Sequence, residues 1–468
     1  MKRSYFLLLG MLSGCMLPSE STMPPLQIDE CWKGDETHLN QVLTDEWWRQ
    51  FNDPVLDQLM EEALQSNPDL WVACERIQEA RAIEGIAFSD RLPHVNLTPS
   101  WNKEGLLFNP TQVTGKDIPN LPLTRVVQET YAFPFNLSYE FDFWGKYCYA
   151  DKAAQERLIA TEFGYLSVVN ILTSEVARIY FVLRTQDEEI SYLKDVVTIR
   201  HLAVDINKKR VAGGLDPEVD LERAKLEVKI AEGNLLNAMR IRQLAENELA
   251  VLLGQQASTF CVNPGHLPKA LVNVAPDLPS ELLLRRPDLN EQYRKIRAYF
   301  YDVGVANANF FPAISLTGAL GTVSPLLSSW FTWQSRYWAF AFSAIQQIFD
   351  GGRLCNEKDL TLARFRKEKG IYQRMVYTAF REVEDALTDI HYRREQFEVQ
   401  WQAAEHATLT AHLARQQFEG GLINYLQVAD AEKTELDVKR RAIQLKGDAF
   451  EASVALIKAL GGSAVICN

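Results

Sequence analysis

The residues with the strongest chemical character in this chain are carboxylates gathered at two diglycine turns. Asp216, Glu218 and Asp220 follow Gly213-Gly214, and Asp430 follows Gly420-Gly421. Carboxylates in a narrow passage favour cations; alone they make and break no covalent bond. Asp216 also stands where a helix-start residue would meet the positive end of the helix dipole. No reactive constellation accompanies them. The seven histidines show no HExxH spacing, and His406 and His412, six apart, do not share a helix face. No CxxC or Cys/His spacing suggests a metal. Gly115-Lys116 lacks the upstream glycine of a phosphate loop. Catalysis, metals and cofactors are therefore not expected. The acidic run Glu382 to Asp385 reads as a solvated helix face.

The bulk properties agree. A net charge of −12 over 468 residues, with no basic patch, speaks against a nucleic-acid partner. The N-terminus carries Lys2-Arg3, an apolar run from Tyr5 to Leu12, then Leu12-Ser13-Gly14-Cys15. That run is too short to span a bilayer as a helix and reads as an export signal. Its small-small-Cys ending resembles the bacterial lipoprotein signal, which implies a signal peptide over 1–14 and a lipid on Cys15. Met16 rather than Asp implies sorting to the outer membrane. Export implies an oxidising compartment. Cys261 and Cys467 follow equivalent Leu-Gly helix ends and suggest one disulfide, whereas Cys74 suits a buried thiol.

The turns belong to a duplication. Asn67-Pro68-Asp69-Leu70 recurs as Arg286-Pro287-Asp288-Leu289 at an offset of 219 residues. Downstream the offset becomes 207 and holds, pairing Gly145-Lys146 with Gly352-Arg353, Gly213-Gly214-Leu215 with Gly420-Gly421-Leu422, and Leu253-Gly254 with Leu460-Gly461. So long a repeat is a duplicated fold unit. After a tether over 15–50, the two copies span 51–260 and 261–468. The change of offset places one insertion between Thr98 and Tyr131, a stretch expected to be a loop tip.

Each copy should hold two strands, about 93–143 and about 312–349, the second following a helix over 279–309. Tyr131, Phe133, Phe135, Leu137, Tyr139, Phe141 and Phe143 alternate with Ala132, Asn136, Ser138, Glu140 and Asp142. Trp338, Phe340 and Phe342 match Tyr131, Phe133 and Phe135 in the second copy. Period two with one aromatic and one small or polar face predicts a strand between two environments. A soluble sandwich would hide the aromatic face on a second sheet, but the rest of each copy is helical. Lipid is therefore the expected neighbour of the aromatic face, and water that of the other.

Proline is absent between Pro134 and Pro217 and after Pro325, and Gly164 and Gly370 are single glycines within runs of about 66 residues. Such freedom from breakers allows helices on the order of 100 Å long. Each ends in a diglycine stop and returns, giving helical hairpins over 147–254 and 353–460 that should pack as coiled coils. Four strands cannot close a barrel, and every strand edge in lipid must be paired. Eight strands, from two chains, would largely fill with side chains; twelve, from three, leave a lumen. The expected fold is thus mainly α with a transmembrane β-barrel: a duplicated unit of two strands and a long helical hairpin, building a trimeric twelve-stranded barrel on an α-helical coiled-coil tunnel.

The residues also resemble the TolC/OprM-like outer-membrane efflux channels, in particular the lipoprotein branch. The match runs through Trp48 and Phe51-Asn52-Asp53-Pro54, Tyr139 to Lys146, Leu284-Arg285-Arg286-Pro287-Asp288, Phe349 to Arg353, Glu382 to Leu387, and Lys458 to Gly462. This resemblance implies a passive exit channel, lipid-anchored in the outer membrane and extending into the periplasm. It also implies a homotrimer that docks a periplasmic adaptor protein and an inner-membrane pump to expel small molecules. In the family, acidic residues after the turns form a periplasmic gate. Asp220 and Asp430 fall on matching positions, threefold symmetry would turn Asp216, Asp220 and Asp430 into rings, and Gly213, Gly214, Gly420 and Gly421 fall at the adaptor-contacting tips. The family's gate also uses a tyrosine and an arginine around the second turn, where this chain has Phe418 and Ile423. Two alternatives stand beside this reading: a type I protein secretion duct, and a non-conducting coiled-coil lipoprotein that tethers envelope layers.

Overall fold

The computed structural model describes Trp32 and residues 46–108, 124–268, 282–283 and 285–462. Cys15, Cys31, Cys467, the signal peptide and most of the tether lie outside these residues. Cys74 is half-buried, and Cys261 is exposed and forms no disulfide among the described residues.

The described chain begins with a 3-10 turn, Trp47–Phe51, and two short helices, α1 Pro54–Ser66 and α2 Pro68–Ser89. Their boundaries follow from local chemistry. Asn52 takes the left-handed conformation that ends the turn (φ 51°), which Asn tolerates better than most residues. The Asp53 carboxylate then accepts the Val55 and Leu56 amides at the start of α1. Asn67 does the same for α2, accepting Asp69 N at 2.8 Å and Leu70 N at 3.1 Å.

Strands β1 His94–Leu97, β2 Ser100–Phe108 and β3 Thr124–Phe141 precede two helices, α3 Lys146–Ala212 and α4 Glu218–Leu252. The second copy supplies α5 Pro287–Ala308, β4 Ala313–Ser324, β5 Arg336–Ile345, α6 Arg353–Glu419 and α7 Tyr425–Ala459. Both α3 and α6 have 67 residues, which at about 1.5 Å per residue gives about 100 Å each. The stretch expected to be a loop tip is narrower than the offsets suggested, because β2 continues through Phe108 and β3 starts at Thr124. Cross-strand pairing carries both strands beyond the positions where the two copies stay in register.

The chain forms two compact units. One comprises Glu79–Leu158 and Arg294–Lys369 and contains the sheet. All pairs in it are antiparallel, in the order β1-β3-β4-β5, with β2 on the same edge of β3 as β1 and in the same register. β1 and β2 therefore act as one strand interrupted at Thr98-Pro99, and the sheet has four effective strands.

Among the described residues, the other unit comprises Trp32, residues 46–78, 159–268, 282–283, 285–293 and 370–462, and contains most of the helical length. Its core centres on Trp47, Trp48, Tyr180, Phe181 and Phe450, all under 2% exposed. Phe181 stacks on Phe450 at 5.0 Å and meets Phe51 at 4.9 Å. Burying each such side chain contributes about 1.5–3 kcal/mol, so the short N-terminal turn is fixed to the long helices. One window of α3 is apolar enough to cross a membrane, but 61% of it lies buried in the molecule. Val169, Val176, Ile179 and Tyr180 make it a packing seam.

Candidate functional site

Two places combine unusual chemistry with exposure: the faces of the sheet, and the turns joining α3 to α4 and α6 to α7. The register sets the sheet faces. Phe135 lies opposite Leu320 and Leu320 opposite Trp338, while Tyr139, Leu316 and Phe342 form another row. Directly opposed residues share a face, so Tyr131, Phe133, Phe135, Trp338, Phe340 and Phe342 all lie on one side. On that side Phe135, Trp338, Phe340 and Phe342 are 47%, 71%, 64% and 68% exposed. Gly318 has no side chain where a Cβ would stand 2.9 Å from the Phe340 ring.

Tyr131 and Phe133 are only half-exposed. Trp330 approaches both rings, at 5.6 and 6.3 Å, and Phe331 approaches Phe133 at 5.5 Å. Trp330, Phe331 and the 77%-exposed Trp333 thus complete the aromatic band at the end nearest the β4–β5 connection. Strand alternation could not find them, because they sit in the irregular β4–β5 connection, Trp333 in a 3-10 turn and Trp330 and Phe331 in a plain turn; their local density of tryptophan was the available signal. Arg336 lies in the same cross-strand row as Phe133 and Thr322, so this row already holds a charge.

The opposite face is small and polar. Asn136 donates to Thr98 Oγ1 at 2.7 Å, and Ser315 and Ser343 hydrogen bond across β4 and β5 at 2.7 Å. Gly321 brings β3 and β4 together, since a Cβ there would collide with the Phe133 carbonyl oxygen. Among the described residues, the outer edges of β1/β2 and of β5 pair with no strand. A sheet bare and aromatic on one face, hydroxylated on the other and open at both edges suits a membrane wall shared between chains.

The two turns have one backbone. Gly214 and Gly421 adopt φ of 71° and 74°, a left-handed conformation that glycine adopts without strain. Leu215 N donates to Arg210 O and Leu422 N to Gln417 O, both at 2.9 Å, closing the same helix-ending motif. Gly213 and Gly420 differ from their neighbours in backbone, since neither has a positive φ, and a Cβ at either would meet nothing nearer than 3.5 Å. Turn geometry therefore requires the second glycine of each pair and leaves the first unconstrained.

The acidic candidates separate in space. Asp216 is bound at both oxygens by Arg210, at 2.6 and 3.1 Å, and this bond holds the guanidinium above its usual pKa. Asp220 is buried at 7% exposure, with Arg223 4.0 Å away, whereas Asp430 is exposed. Arg210 also lies over the Phe418 ring, 4.6 Å from its centre, and Phe418 packs edge-on against Tyr425 at 5.6 Å. Ala224, Val428 and the partly buried Ile423 complete this cluster. Burial, with Glu432 next in influence, pushes the Tyr425 hydroxyl up to about 12. The spacing of the turn points to Asp216 but not to its partner Arg210, on the other side of the turn. An Arg six residues before an Asp across a diglycine is a legible signal once the turn type is known.

An open-edged sheet with one aromatic and one polar face, and in each copy a helix about 100 Å long folded back on one about half that length, fit an outer-membrane channel. The comparisons agree: the family model described as outer membrane efflux protein matches residues 59–255 and 278–462. The chain belongs to that family, and it is an outer-membrane efflux channel. It is 29% identical to the outer membrane protein OprJ of Pseudomonas aeruginosa, over 96% of this chain and 93% of the relative. It is 28% identical to the probable outer membrane lipoprotein SilC of Salmonella typhimurium, over 96% of each. Among solved structures, a membrane protein from Pseudomonas aeruginosa superposes with a TM-score of 0.87 at 30% identity, covering 96% of this chain and 97% of that one.

Proposed function

We propose that three copies of this chain close a twelve-stranded barrel in the outer membrane and continue it as a helical duct, through which a periplasmic adaptor and an inner-membrane pump expel small molecules. The observation that carries this reading is the four-strand sheet with an aromatic face and two open edges. Edges in lipid must pair, and twelve strands leave a lumen where eight do not. The band of Tyr131, Phe133, Phe135, Trp338, Phe340 and Phe342 faces lipid. Energy comes from the pump, and the channel itself performs no catalysis.

A lipid on Cys15 anchors the chain; the likeness to a probable lipoprotein supports this. The adaptor seats on Gly213, Gly214, Gly420 and Gly421. Gly213 and Gly420 suit that role, because the turn's backbone does not itself demand glycine at either position. Asp430 and Asp220 form the cation-favouring constriction at the duct's end, Asp216 being held by Arg210.

Purified protein in planar bilayers is expected to give discrete, cation-preferring current steps that the combination Asp220→Ala plus Asp430→Ala makes less cation-selective. Correctly folded trimers that never conduct would sink the channel; an unchanged selectivity would remove the two aspartates from the gate.

A further inference from the structure

We infer that a groove between α3, α6 and α7 binds a small organic cation with an apolar, ring-bearing body. The hollow has a volume of about 900 Å³, within the range of small-molecule sites. It exists because two buried alanines, Ala404 of α6 and Ala442 of α7, stand where longer side chains would fill it. The repeat places Val197 and Leu235 at these positions in the first hairpin, and Ile190 and Lys194 where the groove has Phe397 and Trp401. The hairpin fold therefore requires neither the hollow nor its aromatic lining. Trp401 and Leu409 are 48% and 55% exposed, the Trp401 and Phe397 rings lie 5.8 Å apart, and Tyr192 lines the α3 side.

Charge selects the class of ligand. Both lysines at the groove are engaged: Lys446 donates to Glu188 at 2.9 Å, and Lys439 donates to Glu435 at 3.0 Å while lying over the Tyr192 ring. The other two carboxylates have no cation among the described residues. Asp195 is exposed and has no partner there, and Glu405 accepts the Trp401 indole N–H at 3.1 Å. An apolar hollow with uncompensated acids on its rim favours positive charge on an apolar body, and an indole beside the carboxylates adds the attraction of its ring face.

The test dialyses the full-length protein in detergent against tetraphenylphosphonium and, in parallel, against tetraphenylborate, which has the same shape and the opposite charge; empty micelles are the blank. Saturable binding of one phosphonium per chain is expected, with the borate about tenfold weaker or more. Trp401→Leu should weaken phosphonium binding about tenfold, and Asp195→Asn or Glu405→Gln about fivefold each. Ala404→Val plus Ala442→Leu, which restores the first copy's residues, should abolish it. Asp195→Asn removes an exposed, unpartnered charge, so it tests the site even if the filled groove fails to fold. Equal uptake of the two ions, or wild-type affinity in Asp195→Asn plus Glu405→Gln, would overturn the site. Binding by separated chains but not by trimers would overturn it as well, by giving the groove to a second copy. None of these outcomes depends on conduction, so the channel reading stands or falls on its own test.

Discussion

The first turn, Gly213 to Pro217, and the second, Gly420 to Asn424, share a backbone and share no side chain beyond their leucine. Both close with the same hydrogen bonds, and both place a glycine at φ near 70°. Beyond the leucine the residues diverge: Asp216 against Ile423, Pro217 against Asn424, Glu218 against Tyr425. Duplication has kept what the helix end needs, because backbone geometry admits few solutions. The side chains have been free to specialise, one turn as charged and the other as aromatic. Contact between unlike turns is what this division makes possible.

The same contrast runs through the sheet, where the largest effects are expected. Phe340, in the row of Leu137 and Gly318, is bare. Its counterpart Phe133 is covered by Trp330 and Phe331 and shares a row with Arg336. A charge near the bilayer middle costs about 2–4 kcal/mol, and near the headgroups about 0–1 kcal/mol. Phe340→Arg should therefore weaken folding into phospholipid vesicles by about 2–4 kcal/mol, and Phe133→Arg by about 1 kcal/mol or less. Equal costs in a urea titration would show that both halves sit at one depth.

Next in size is Glu451, whose counterpart in the first copy is the exposed Leu244. Burial pushes its carboxyl up to about 6, against Arg178 and Arg393, which lower it, and with Asp448 and Glu175, which raise it. Arg178 is held by Glu175 at 2.6 Å, and Arg393 by Asp389 and Asp448, both at 2.7 Å. Glu451 is thus an acid beside cations already engaged. A raised folded-state pKa means that its stability contribution is complete below the unfolded value near 4.5 and is lost as pH rises through about 6. Glu451→Gln should flatten that step and stabilise the protein at neutral pH by about 2 kcal/mol. Thermal midpoints measured between pH 4 and pH 7 would expose the opposite sign if the carboxylate were needed.

The smallest effects separate the glycines within each turn. Gly214→Ala and Gly421→Ala should each cost about 1–2 kcal/mol of local stability, since a side chain in the left-handed region is strained. Gly213→Ala and Gly420→Ala should leave the turn intact and weaken adaptor binding only. Amide exchange at the tips and crosslinking to the adaptor read the two effects independently.

Much of this fold was legible in the sequence because periodic signals are long and physically forced. The offset of 207 carries α3, Lys146–Ala212, onto α6, Arg353–Glu419, residue for residue. The alternation from Tyr131 to Phe143 identifies the aromatic face without any knowledge of register. Trp330 and Phe331 escape such a reading because irregular turns carry no period. Arg210 escapes it because its second partner, Phe418, lies more than 200 residues away, and a cation–ring contact leaves no spacing to read. The charge difference between the two turns is visible in the sequence, but its meaning requires the three-dimensional pairing of unlike copies.

The central claim is that open sheet edges on three chains join into one barrel. Native mass spectrometry of the detergent-purified protein measures this directly, and the account predicts particles of three chains that dissociate only when the sheet unfolds. Particles of one chain with the sheet intact would contradict it.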